Sequence, residues 1–234
     1  MKEELYTIPV MDGFAENDEC AFCAMKRSVN EKNIGFILSP SYMEEDVRDL
    51  TNAYGFCREH TEKLYAAKNA LGLSLMLESH LMTRRQELTQ ALREASSGKR
   101  AKKGSSALSS LRVKLNECFL CRRNEETMER YFEAFFFLWK KEESFRRTVL
   151  ESKGFCLEHF LTLYEKASEH LLPAKADEFK KILSELEEKE LDRVRDELDW
   201  FIKKFDYRYA SEPWKNSRDA LPRTILKING QKLD

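Results

Sequence analysis

Two cysteine pairs and two cysteine–histidine pairs constrain this chain more than any other feature. Cys20-x-x-Cys23 is followed by Gly55-Phe56-Cys57-x-x-His60, and Cys118-x-x-Cys121 is followed by Gly154-Phe155-Cys156-x-x-His159. The pattern uses all six cysteines. Cys23 and Cys57 are separated by 33 residues and Cys121 and Cys156 by 34, so the second copy nearly repeats the first. Each copy offers three thiolates and one imidazole, the donor set of a tetrahedral structural zinc site. A CxxC lets both sulfurs reach one cation, and a CxxH does the same from a helix start. The expected arrangement is therefore two Zn²⁺ sites, one per copy, at Cys20, Cys23, Cys57 and His60 and at Cys118, Cys121, Cys156 and His159. In each, the ion closes a helical hairpin.

Three cysteines and a histidine can also hold an iron–sulfur cluster, but the familiar cluster spacings crowd their cysteines more tightly, which favours zinc. A thiol–disulfide couple at either CxxC is the redox alternative, and it gives the paired CxxH no role. Four protein ligands leave no open position, so the expected site is structural rather than catalytic. His80 and His170 lack partners at ligand spacing and read as ordinary helix residues. No GxGxxG, GxxxxGK[ST], HExxH or GxSxG is present, and no catalytic residue is assigned.

Glycine and proline number only 8 and 5, and apolar residues recur at helical intervals, so the expected fold is all-α. Ser41 with Glu44 reads as a capping box opening a helix that Gly55 ends. A long, centrally buried helix is expected from each CxxH, the first carrying Leu64, Ala67, Leu71, Leu75 and Leu81. The aromatic stretch Tyr131–Trp139 reads as core. Ala176–Tyr209 reads as one amphipathic helix about 50 Å long, and Ser217–Gly230 as a short final helix stopped by Gly230. The expected organisation is two tandem helical modules, each clasped by a Cys3His site, over residues 1–94 and 111–175. A C-terminal helical extension over 176–234 packs on the second module.

Between the copies, 95–110 is rich in serine and glycine and reads as a flexible basic linker. Its cluster Lys99, Arg100, Lys102 and Lys103 is a candidate nucleic-acid contact, against the plainer reading of a solvated tether. Over the whole chain 40 basic residues balance 41 acidic ones, so there is no general field to draw in nucleic acid or an anionic membrane. The opening MKEELYTIPVMDGF has no unbroken apolar run, which argues against a secretory leader, and no stretch approaches the length of a membrane helix. The expected compartment is the cytoplasm.

Several segments carry a resemblance. YTIPV at Tyr6–Val10, the two ECxxC and GFCxxH motifs, SYMEEDVR at Ser41–Arg48, TNxxGFCxxH at Thr51–His60 and DALPRTI at Asp219–Ile225 resemble an uncharacterised bacterial family, a domain of unknown function. The resemblance runs over nearly the whole chain and implies no established activity. The functional expectation is a non-catalytic, zinc-binding protein that acts on a protein partner as scaffold, adaptor or regulator. The alternatives are a redox or metal sensor working through a thiolate–zinc switch and a nucleic-acid-binding regulator.

Overall fold

With so few helix breakers, almost every long stretch can satisfy its backbone within a helix. The computed structural model describes residues 4–96 and 101–232, and the side chains of 4, 96 and 101–106 lie outside the description. Eleven α-helices and no strand occur among the described residues. They are α1 (Thr7–Ala15), α2 (Ala21–Ile37), α3 (Glu45–Tyr54), α4 (Arg58–Ala66), α5 (Ala70–Ser96), α6 (Ala101–Lys114), α7 (Phe119–Lys141), α8 (Glu143–Glu151), α9 (Leu157–His170), α10 (Pro173–Lys203) and α11 (Ala220–Asn229). Among the described residues, no helix is long and apolar enough to cross a membrane.

The chain divides into two compact units, and they do not run in chain order. One unit combines Met1–Arg27 with Met128–Asp234, and the other is the intervening Ser28–Thr127. The boundaries fall inside α2 and α7, which corrects the tandem division at 94 and 111. Of the 95–110 stretch read as a linker, 97–100 lie outside the described residues; the rest falls at the end of α5, which runs to Ser96, and in α6, which begins at Ala101 and packs along α5.

In the middle unit, Ile37, Val47, Leu64, Leu73, Met76, Phe119 and Leu120 form one core, and Cys118 is part of it. The single long helix expected after Cys57 is two. α4 stops at Ala66, and Lys68 adopts a left-handed φ of 61°. Asn69 then restarts the chain, its Oδ1 accepting from the Gly72 amide at 3.0 Å and its Nδ2 donating to the Leu38 carbonyl at 2.8 Å. In α5, Leu73 and Met76 turn inward, whereas Leu71, Leu81, Leu88 and Leu92 stay exposed, so this helix is not central. The Ser41–Glu44 box does not form. Ser41 lies in a short 3-10 turn and donates to the Phe36 carbonyl, while α3 starts at Glu45 with no side-chain cap.

In the unit built from the chain ends, the core is aromatic. The rings of Phe14, Phe22, Phe132, Phe136, Phe145, Phe155 and Phe179 pack with Phe135 at their centre. This is the core role expected of the 131–139 stretch. Helix α10 starts at Pro173, which suits the first helical position. It packs against α9 and α11 and ends at Lys203, before Tyr209. Gly230 stops α11 at φ 69°, as the sequence implies.

Candidate metal centres

Each ligand pair sits where a helix begins. Cys20 immediately precedes α2 and Cys23 lies in its first turn; Cys118 and Cys121 stand in the same relation to α7. Cys57 caps α4 with His60 one turn in, and Cys156 caps α9 with His159 one turn in. Helix amino ends are partly positive and favour thiolate over thiol. The Cys121 amide also donates to the Cys118 sulfur at 3.5 Å.

Both CxxH turns depend on the preceding glycine. Gly55 and Gly154 take φ of 63° and 72°, where a side chain is strained. A Cβ on Gly55 would stand 2.6 Å from the His80 ring, and one on Gly154 would stand 2.8 Å from Glu187 Oε2. Beyond Gly154, the Phe155 amide donates to Glu187 at 2.9 Å, and the buried Lys227 Nζ donates to the Phe155 carbonyl at 3.1 Å. At the other turn, the Phe119 amide donates to the Gly55 carbonyl at 2.9 Å, tying that CxxH to the start of α7.

All eight predicted ligands gather into two clusters, but each CxxC meets the CxxH of the other copy. Cys20 and Cys23 join Cys156 and His159, while Cys57 and His60 join Cys118 and Cys121. This corrects the expectation that each copy closes on itself. The sites are nested along the chain rather than tandem, and each lies within one compact unit. In every cluster the four donor atoms lie within 4.8 Å of one another, close enough to share a metal ion. In the outer cluster, His159 Nδ1 lies 3.4 Å from both Cys20 and Cys23 sulfurs and 3.1 Å from that of Cys156. In the inner one, His60 Nδ1 lies 3.2 Å from the Cys57 sulfur and 3.3 Å from those of Cys118 and Cys121.

The outer four residues are all buried, whereas Cys57 and Cys121 are partly exposed. Burial pushes the Cys20 thiol up to about 12. Cys23 is raised too, chiefly by its hydrogen bond with Cys156, whose own thiol is drawn down by hydrogen bonds with Cys20 and Cys23. Burial likewise raises Cys121. Three such sulfurs cannot all carry charge side by side unless a cation compensates them, and a divalent ion does so by displacing the thiol protons. Burial lowers the pKa of His60, keeping its imidazole neutral, the form that ligates.

The histidine supports were not anticipated from the sequence. His60 Nε2 lies 2.8 Å from Asn30 Oδ1, leaving Nδ1 free for the cluster. Asn30 Oδ1 also accepts from Asn124 Nδ2 at 3.0 Å, Asn124 Oδ1 accepts from Asn33 at 2.7 Å, and Asn33 Oδ1 accepts from Arg123 at 2.9 Å. Such partners orient a ligating imidazole and raise its basicity. Asn30→Ala is therefore expected to weaken metal binding at the inner site about 10- to 100-fold and leave the outer site unchanged. Competition with a chromophoric chelator reads the two affinities separately. The available signal was positional: Asn30 and Asn33 follow Cys23 at helical intervals, and Asn124 follows Cys121 by three.

Gly230 does more than stop α11: a Cβ there would approach the Cys23 and Cys156 sulfurs at 3.4 and 3.5 Å, so the end of α11 lies against the outer cluster. His80 and His170 join neither cluster; His80 Nδ1 pairs with the Asn52 carbonyl at 3.0 Å, and His170 stacks on Phe136. Of the basic cluster, Lys99 and Arg100 lie outside the described residues. Lys102 and Lys103 fall within α6, and their side chains lie outside the description.

A family model described as a family of unknown function (DUF6062) matches residues 1–234, and the chain belongs to that family. Neither the curated proteins nor the solved structures give a match.

Proposed function

We propose that this member of the DUF6062 family is a non-catalytic protein whose helical units are each locked by a structural Zn²⁺ ion, and that it works through a protein partner as scaffold, adaptor or regulator. The observation that carries the zinc reading is the pair of four-donor clusters. With zinc bonds of about 2.3 Å to sulfur and 2.0–2.1 Å to nitrogen, tetrahedral edges are about 3.6 Å for S···N and 3.8 Å for S···S. The separations here are 3.1–3.4 Å for S···N, 3.5 Å for Cys23 to Cys156 and 3.8 Å for Cys57 to Cys121. Two CxxC and CxxH pairs at four helix starts suit a single ion better than an iron–sulfur cluster, which needs room for its own inorganic core.

Four protein donors leave no position for a substrate, so the ion's role is to close the fold. Elemental analysis of freshly purified protein, with a free-thiol count, tests this. The expected result is about two zinc per chain, and less than one would sink the reading.

Partial exposure of Cys57 and Cys121 favours one second reading, a thiolate–zinc switch at the inner site. It expects low peroxide to release about half of the zinc, reversibly on adding a thiol reductant.

A further inference from the structure

Helix α5 is apolar on two opposite faces, and only one of them is covered. Leu73, Met76 and Ala91 turn inward, α3 and α6 pack against the helix, and Lys114 of α6 reaches Glu87 at 2.5 Å. On the opposite side Leu71, Leu81, Met82, Leu88 and Leu92 are 47–69% exposed. A surface helix ordinarily turns polar residues outward, and a helix apolar all round is a buried one. The burial that the sequence implies for this helix is thus only half met by α3 and α6.

The exposed face has a register of its own. Leu71, Glu78, Met82, Arg85 and Leu92 fall in one row at steps of three, four or seven, over about 32 Å of helix, with Leu81 and Leu88 beside it. Glu78 and Arg85 are exposed, and neither makes an ion pair among the described residues. Leu71 precedes Glu78 by seven positions and Leu92 follows Arg85 by seven, so the row has one midpoint, between Leu81 and Met82.

We infer that α5 pairs antiparallel with α5 of a second copy of this chain, about a two-fold axis passing between Leu81 and Met82. That operation sets Glu78 opposite the partner's Arg85 and Arg85 opposite the partner's Glu78. It also brings Leu71 against the partner's Leu92 at both ends, while Leu81 and Met82 meet their own counterparts beside the axis. Both copies then present the same surface, as a closed dimer requires. Parallel pairing sets like charge against like at both positions, and a lipid surface leaves Glu78 and Arg85 unpartnered in the middle of the apolar row. Helix α5 carries none of the clustered ligands, so the pairing does not rest on the metal reading.

The test is sedimentation equilibrium of the full chain as purified, over a range of concentrations. The expected species has twice the 27.6 kDa chain mass, with a dissociation constant below about 10 μM. Leu81→Lys is expected to weaken the dimer at least about 100-fold, with helical signal unchanged because the residue is exposed. Glu78→Arg and Arg85→Glu each replace two facing opposite charges by two like ones and are expected to weaken it about tenfold. Together, Glu78→Arg and Arg85→Glu restore opposite charges at both positions, so the double variant should dimerise as the original chain does. A chain monomeric at about 100 μM, a dimer indifferent to Leu81→Lys, or a double reversal as weak as the single ones would overturn the inference.

Discussion

Removing the bound metal with a strong chelator is expected to unfold the middle unit and to loosen the other, with a large loss of far-ultraviolet helical signal. Structural zinc contributes on the order of 10–16 kcal/mol in small zinc-finger peptides, comparable with the whole 5–15 kcal/mol stability of an ordinary domain. The chain here has real cores, so part of that energy is supplied by packing. Even a third of it, about 4 kcal/mol, is enough to lower Tm by about 10 °C. The middle unit should yield first, because Cys118 is embedded in its core and Cys57 and Cys121 are partly exposed. The aromatic core of the other unit should survive longer. Acidification should act in the same direction, because protons compete with the metal for the thiolates. A thermal scan and helical signal unchanged by chelation would contradict a structural role for the ions.

Replacing Phe135 by alanine is expected to cost about 3–5 kcal/mol with both metals still bound. Phe135 is fully buried, and its ring meets Phe14, Phe22, Phe136, Trp139, Phe145, Phe155 and Phe179 at centroid distances of 5.3–6.5 Å. Truncation removes apolar burial and leaves a cavity that so many rigid rings cannot close. Urea unfolding of the metal-loaded variant measures the loss, and a cost below about 1 kcal/mol would show that the cluster repacks freely.

Both large effects come from features legible in the sequence. The ligands were readable because thiols and imidazoles at CxxC and CxxH spacing have few other common uses, and all eight enter the clusters. The core role of 131–139 was readable because several large aromatic residues on one helical stretch have to be buried. Which CxxC meets which CxxH was not readable. Each pair supplies half of a tetrahedron, and no local rule chooses between the two ways of joining the halves.

Chain length does not choose either. Closing the 133-residue interval from Cys23 to Cys156, rather than the short interval to Cys57, costs only about 1 kcal/mol more in loop entropy. The choice is made by packing between residues distant in sequence. Phe119 and Leu120 share a core with Val47 and Leu64, and the Phe119 amide bonds to the Gly55 carbonyl. Phe22 stacks with Phe132 and lies beside the His159 ring. The break at Ala67–Asn69 is not legible for a similar reason, because apolar periodicity continues across it while Asn69 and a left-handed Lys68 turn the backbone. Buried polar residues such as Lys227 and Glu187 look like surface charge in the sequence and find their partners only in the fold.

Crossed pairing is tested most directly by counting metal in two double variants. Cys20→Ser with Cys156→Ser removes two ligands from one cluster, so about one metal per chain should remain. Cys20→Ser with Cys57→Ser damages both clusters, so tight binding should disappear. Tandem pairing demands the reverse, and a Cys20→Ser/Cys57→Ser protein that retains one tightly bound metal would contradict the nested arrangement.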